Sequence, residues 1–120
     1  LALCIEDGGT GKSSAFAFAL ERALFDQGCL TSVIAGNDVA ALKSVKSAVD
    51  AGLVTICISK AQTGFKKSLR ESLERAQLLC IDTVAQGDEV DILVPEITEG
   101  FEATLNAVIS NLVKRNILKV

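Results

Sequence analysis

Residues 1–14 read LALCIEDGGTGKSS, and this stretch decides the fold. Residues 1–5 are an unbroken apolar run of strand length, the pattern of a strand covered on both faces. Residues 6–11 are a glycine-rich turn. From Lys12 to about Gln27 the period changes. Phe16, Leu20, Ala23 and Leu24 recur on one helical face, and Gly28 supplies a stop. Strand, glycine turn and helix in that order form a device for holding an anion. Glycines let successive backbone N–H groups point inward, and the helix adds the positive end of its dipole. The candidate phosphate-binding residues are therefore Gly8, Gly9, Thr10, Gly11, Lys12, Ser13 and Ser14. Lys12 is placed to meet the β- and γ-phosphates, and the Ser13 hydroxyl is the candidate Mg²⁺ ligand. The full pattern G-x-x-x-x-G-K-[ST] wants a glycine where this chain has Glu6. Glu6 and Asp7 would repel a polyphosphate unless they turn away or meet the metal.

Outward from this stretch, strands and helices alternate. Residues 30–35 (LTSVIA) are a second strand, and 39–51 a helix with Leu42, Val45 and Val49 on one face. Residues 53–58 (LVTICI) are a third strand, β-branched and uncharged. A loop over 60–64 leads to a helix over 65–76, laced with the i, i+4 pairs Arg70–Glu74 and Glu71–Arg75. Residues 78–81 are a fourth strand, and 90–94 a fifth stopped by Pro95. A closing helix over 99–112 carries Phe101, Leu105, Val108, Ile109 and Leu112 on its apolar face. Apolar strands alternating with amphipathic helices predict one α/β domain over residues 1–120, with a mostly parallel five-stranded sheet and helices on both faces. Ligands in such sheets bind at the carboxyl ends of the strands, here residues 6–13, 36–38, 59–64 and 82–88.

Composition narrows the chemistry. The 120 residues are 49% hydrophobic and 22% charged, with a net charge of −3. A chain of this size buries about two thirds of its surface on folding, enough for one core. The acidic balance and the lack of Trp and Tyr argue against a nucleic-acid surface. No apolar run approaches the roughly 20 residues of a bilayer span. With no histidine there is no Ser-His-Asp triad and no imidazole base. The spacing of Cys4, Cys29, Cys57 and Cys80 excludes a CxxC pair, and the strand positions of Cys4, Cys57 and Cys80 predict buried reduced thiols. With no visible secretory signal, this points to the cytoplasm.

With the loop placed, the order of the segments resembles the adenylylsulfate kinase (APS kinase) family. Its G-L-S-G-S-G-K-S-T loop is matched by residues 6–14. Its D-G-D-N-V motif falls on Ala35, Gly36, Asn37, Asp38 and Val39. Its strand that opens A-G-L and ends I-S-P resembles residues 51–60, with Lys60 in place of the proline. Its V-D-T-P is similar to Ile81, Asp82, Thr83 and Val84, and its D-I-V-V segment and closing helix resemble residues 91–95 and 101–118. The resemblance touches all five strands. It implies a three-layer P-loop kinase fold, ATP and Mg²⁺ as cofactors, and adenylylsulfate as the small-molecule substrate. It implies transfer of the γ-phosphoryl group to the substrate's ribose 3′-hydroxyl. It also implies a homodimer or a fusion to an ATP sulfurylase as the assembly, and no nucleic-acid or membrane partner.

The departures are specific. The family's first acidic residue is Ala35 here and its second is Asn37, which leaves Asp38, one place late, as the candidate catalytic base beside Lys12. Only residues 85–90 join the fourth and fifth strands, where the family has a basic, aromatic-containing substrate loop. That loop is either lost or missing from the numbered chain. Two function classes follow: an ATP-dependent kinase of this type, or a nucleotide-binding domain of the same ancestry that regulates without turnover. Lys60, Lys66, Lys67 and Arg70 are either a phosphate-facing lid or a solvated helix start. Asp82 either orients a metal-bound water or caps its own turn. Phe16 and Phe18 cannot both face the core, so one of them faces outward.

Overall fold

The N-terminal apolar run forms the middle strand of the sheet, as its two-sided hydrophobicity requires. In the computed structural model, which describes residues 1–7, 13–60, 63–83, 90–94 and 101–118, β1 spans Ala2–Asp7. It is followed by α1 (Ser13–Asp26), β2 (Thr31–Ile34), α2 (Val39–Asp50) and β3 (Val54–Lys60). Then come α3 (Phe65–Ser72), a single 3₁₀ turn at Arg75–Gln77, β4 (Leu78–Asp82), β5 (Ile92–Leu93) and α4 (Phe101–Lys114). The strand order is β2-β3-β1-β4-β5 and every pairing is parallel. The chain is an α/β three-layer fold, as its alternating pattern predicts.

The layers follow from handedness. Parallel crossovers are right-handed, so connections that move in opposite directions along the sheet put their helices on opposite faces. The β1-to-β2 connection runs one way, and its helix α1 lies with α4 on one face. The β2-to-β3 and β3-to-β4 connections run the other way, and α2 and α3 cover the second face. Each face has its own core. Leu3 and Ile5 pack with Phe16, Leu20, Leu24, Val108 and Leu112 on the first. Ala2 and Cys4 pack with Val45, Val49, Phe65 and Leu69 on the second.

The helix faces follow the spacing with differences at their margins: Ala17 is buried and Ala23 half-buried on α1, Ala41 is buried and Leu42 half-buried on α2, and on α4 Thr104 is buried beside Val108 and Leu112 while Leu105 and Ile109 are half-buried and Phe101 is exposed. Phe16 is buried and meets Phe101 edge-on, ring centroids 5.6 Å apart, whereas Phe18 points outward. Gly28 ends α1 at φ +88°, a left-handed conformation that side chains resist. It lets Cys29 N donate to Leu24 O at 3.0 Å.

Several boundaries differ from the sequence pattern. β2 is shorter than residues 30–35 and half-exposed, because it lies at the edge of the sheet. β3 extends through Ser59 and Lys60, where it pairs with Glu6 and Asp7 of β1. The fifth strand shrinks from 90–94 to two residues. The helix predicted over 65–76 stops at Ser72. Leu73 turns extended (φ −111°, ψ 148°) and is 7% exposed. Burying this leucine prevails over the helix propensity of the next residues, so Arg75 leaves Glu71 and pairs with Asp91. Glu99 and the start of the closing helix before Phe101 lie outside the described residues, as do residues 84–89.

Cys4, Cys57 and Cys80 are buried and free, and Cys29 is partly exposed. The first three stand in register across β3, β1 and β4. Among the described residues no helix is long and apolar enough to cross a membrane.

Candidate functional site at the carboxyl edge of the sheet

The sheet reverses direction at β1. Its connection departs over the first face, and that of its neighbour β3 departs over the second. Adjacent strands whose connections diverge leave a crevice between their carboxyl ends, and this is where open α/β sheets bind ligands. Glu6 with Ser59, and Asp7 with Lys60, are the register pairs at that position. Residues 8–12 follow directly. Gly8, Gly9, Thr10, Gly11 and Lys12 lie outside the described residues. Ser13 is the first residue of α1 and Ser14, which is exposed, the second. The predicted anion-binding turn thus joins the central strand to a helix at the topological switch point.

The side chains around it sort by strand alternation. Even residues of β1 face α2 and α3, so Glu6 projects onto that face above Cys4. Its carboxylate lies 3.7 Å from the Lys66 ammonium on the first turn of α3, with the two side chains 21% and 17% exposed. The acidic residue at the pattern's glycine position is therefore matched by a cation. Extending the β1–β4 register by one residue sets Asp82 beside Glu6. Asp82 Oδ1 accepts from Thr83 N at 2.6 Å, the turn-capping alternative for this residue. Ser59 is buried at the end of β3.

The predicted base lies on the other side of β3. Asp38 is the N-cap of α2, and its Oδ1 accepts from Ala41 N at 2.8 Å. This is the usual task of an aspartate before a helix. Gly36 makes the approach to it, at φ +101° and with room for no more than light contact against Ala41. Asn37 Oδ1 accepts from Lys60 N at 3.2 Å and lies 3.4 Å from Thr63 Oγ1. Thr63 donates its hydroxyl to Lys60 O at 2.8 Å. The loop after β2 is thereby tied to the end of β3, which fixes one wall of the crevice.

The basic residues after β3 separate into three kinds. Lys60 and Lys67 are exposed. Arg70 turns onto the sheet and donates to Cys80 Sγ at 3.4 Å. Lys66 reaches the Glu6 carboxylate at the end of β1. Sequence spacing alone missed this distinction, and missed the Glu6–Lys66 pair, because it depends on the β1–β3 register. The thiols beneath are held protonated. A hydrogen bond with Cys57 and burial push Cys4 up, and a hydrogen bond with Cys4 and burial push Cys80 up. They are core groups rather than nucleophiles.

Among the described residues, no three His, Cys, Asp or Glu side chains converge to hold a metal ion. Mg²⁺ needs less than that, because phosphate oxygens and water fill most of its coordination and the protein adds one or two oxygen ligands. Asp82 at the end of β4 is an oxygen donor of the right kind, and the side chain of Ser13 lies outside the described residues. Neither models of known protein families nor curated proteins match this chain.

Proposed function

We propose that the chain is a phosphotransferase of the adenylylsulfate kinase type. It binds ATP·Mg²⁺ at the carboxyl end of β1 and passes the γ-phosphoryl group to the 3′-hydroxyl of adenylylsulfate. One observation carries the reading. The segment G-G-T-G-K-S-S follows the central strand and leads into α1 where the strand order reverses, the kind of place at which such sheets hold phosphates. Lys12 neutralises charge on the transferring group. Ser13 and Asp82, the latter at the end of β4, would hold the metal, which when bound would neutralise charge on the phosphates. The order of motifs through all five strands supports the acceptor assignment.

A second reading has its own support. The one candidate base, Asp38, already serves as a helix cap. A carboxylate pointed into its own helix is poorly placed to take a proton from an acceptor, which favours a nucleotide-binding domain that regulates without turnover.

Calorimetry with ATP·Mg²⁺ tests the shared part: the wild type binds and Lys12→Ala does not. Equal affinity in the two rejects both readings. A coupled assay with adenylylsulfate then separates them, since turnover supports the kinase and binding without turnover the regulatory domain. Asp38→Asn sharpens the result, because asparagine caps a helix as well as aspartate does. Lost turnover at an unchanged melting temperature assigns Asp38 as the base, and unchanged turnover leaves it a cap.

A further inference from the structure

The Glu6–Lys66 pair is unusual for two charges so well covered. Hydrogen bonds between ammonium and carboxylate run at about 2.7–2.9 Å, and this pair stands at 3.7 Å. Among the described residues, no hydrogen bond holds the Lys66 ammonium. A lysine carries three donors, and covering them without close acceptors is unfavourable. The group would be satisfied by an anion entering from the crevice. Its neighbours give it no help: Lys60 and Lys67 face solvent and Arg70 is turned to Cys80.

We propose that Lys66 is a second phosphate-binding cation, held in waiting by Glu6. The Glu6 carboxylate stands in for a ligand oxygen until a polyphosphate arrives and takes the ammonium over. Glu6 therefore competes with the ligand twice, by occupying Lys66 and by repelling the incoming charge. This gives a physical account of an acidic residue where the loop pattern has glycine: it weakens phosphate binding and makes it depend on displacing an ion pair. The inference rests on the phosphate-loop reading proposed above and names a further binding residue for that site.

The test is calorimetry on the full chain with two probes, ATP·Mg²⁺ and inorganic tripolyphosphate, the second carrying no base or sugar. Lys66→Met keeps the stem and loses the charge, and is expected to weaken both probes about tenfold, the low end for a charged hydrogen bond. Lys66→Arg is expected to restore most of the loss. Glu6→Gln is expected to tighten both probes several-fold, a gain that a folding defect does not imitate. If Lys12→Ala abolishes binding while Lys66→Met and Glu6→Gln both match the wild type, the Lys66 role is overturned and the loop reading stands. Weaker binding in Glu6→Gln also overturns it. If the wild type binds neither probe, or binds both as Lys12→Ala does, the loop reading itself fails and this inference fails with it.

Discussion

Asp91 is where the last strand is fastened, and removing its carboxylate should cost more than any surface change nearby. β5 has only two residues and lies at the edge of the sheet. Its register with β4 covers two residue pairs, and on either side of them Asp91 N donates to Cys80 O and Val94 N to Asp82 O, each at 2.9 Å. The Asp91 side chain, 6% exposed, does the rest. Its Oδ2 accepts from Cys80 N at 2.7 Å, its Oδ1 meets Arg75, and its carbonyl accepts from Arg115 at 2.7 Å. Asp91→Ala strips the acceptor from a buried N–H. Leaving such a donor unsatisfied costs about 1–3 kcal/mol, and the lost bond was charge-assisted, so we expect about 2–3 kcal/mol. For a chain of this size that lowers the melting temperature by about 10 °C. Asp91→Asn keeps an oxygen for Cys80 N and loses only the ion pair to Arg75, whose side chain is 69% exposed. Exposed pairs contribute little, so Asn should recover most of the loss. Urea denaturation at constant slope measures both variants. A loss under about 1 kcal/mol in Asp91→Ala, or equal losses in the two variants, would refute the idea that this acceptor fastens the edge.

Two further outcomes follow from the core. Phe16→Ala removes a fully buried ring that stacks edge-on with Phe101, and should cost about 3–5 kcal/mol in the same denaturation; Phe18→Ala, on the outward side of α1, should change stability by less than about 0.5 kcal/mol. The protein should also lose stability in alkali. Cys4 and Cys80 are pushed up when folded, whereas unfolded thiols ionise near pH 8.5. The unfolded chain then sheds its protons first. Stability is flat in these groups below about pH 8 and falls above pH 8.5 by about 1.4 kcal/mol per pH unit for each thiol. Melts between pH 7 and pH 10 should show a shallower fall in Cys80→Ala, and an identical slope in the two proteins would overturn the assignment.

The fold was readable because each strand carries its evidence locally. A continuous apolar run such as LALCI or LVTICI suits only a strand covered on both sides, and the alternation of such runs with amphipathic helices leaves few topologies. The ends of elements were less readable. The early stop of α3 depends on a place for Leu73 under the sheet, and the shortness of β5 depends on what Asp91 can reach, and neither is a local property. At the candidate site, the glycine-rich motif is legible from its spacing, whereas the pairing around it is not. The partner of Glu6 lies 60 residues away, and only the register of β1 with β3 and the angle of α3 bring Lys66 to it. Asp38 shows the opposite case, since a residue chosen for its place in a motif turns out to do a job that its position before a helix already explained.

One face of β1 shows how the two kinds of information meet. Its even residues are Ala2, Cys4 and Glu6, and the register sets a row of side chains beside each. Thr55 and Leu78 flank Ala2, Cys57 and Cys80 flank Cys4, and Ser59 and Asp82 flank Glu6. With about 3.3 Å per residue, roughly 13 Å of strand passes from an alanine through hydrogen-bonded thiols to a carboxylate. The small residues at the centre let α2 and α3 lie close, which carries Lys66 over the strand end. The thiols, kept neutral, let charge gather only at the carboxyl edge. A larger side chain at Cys4 would lift α3 and draw Lys66 away from Glu6. Cys4→Leu should therefore disturb the crevice as well as the core, whereas a change of similar size on the opposite face, Leu3→Phe, should disturb the core alone. The packing beneath the crevice and the electrostatics within it are set by the same alternation, and a variant of the one is a variant of the other.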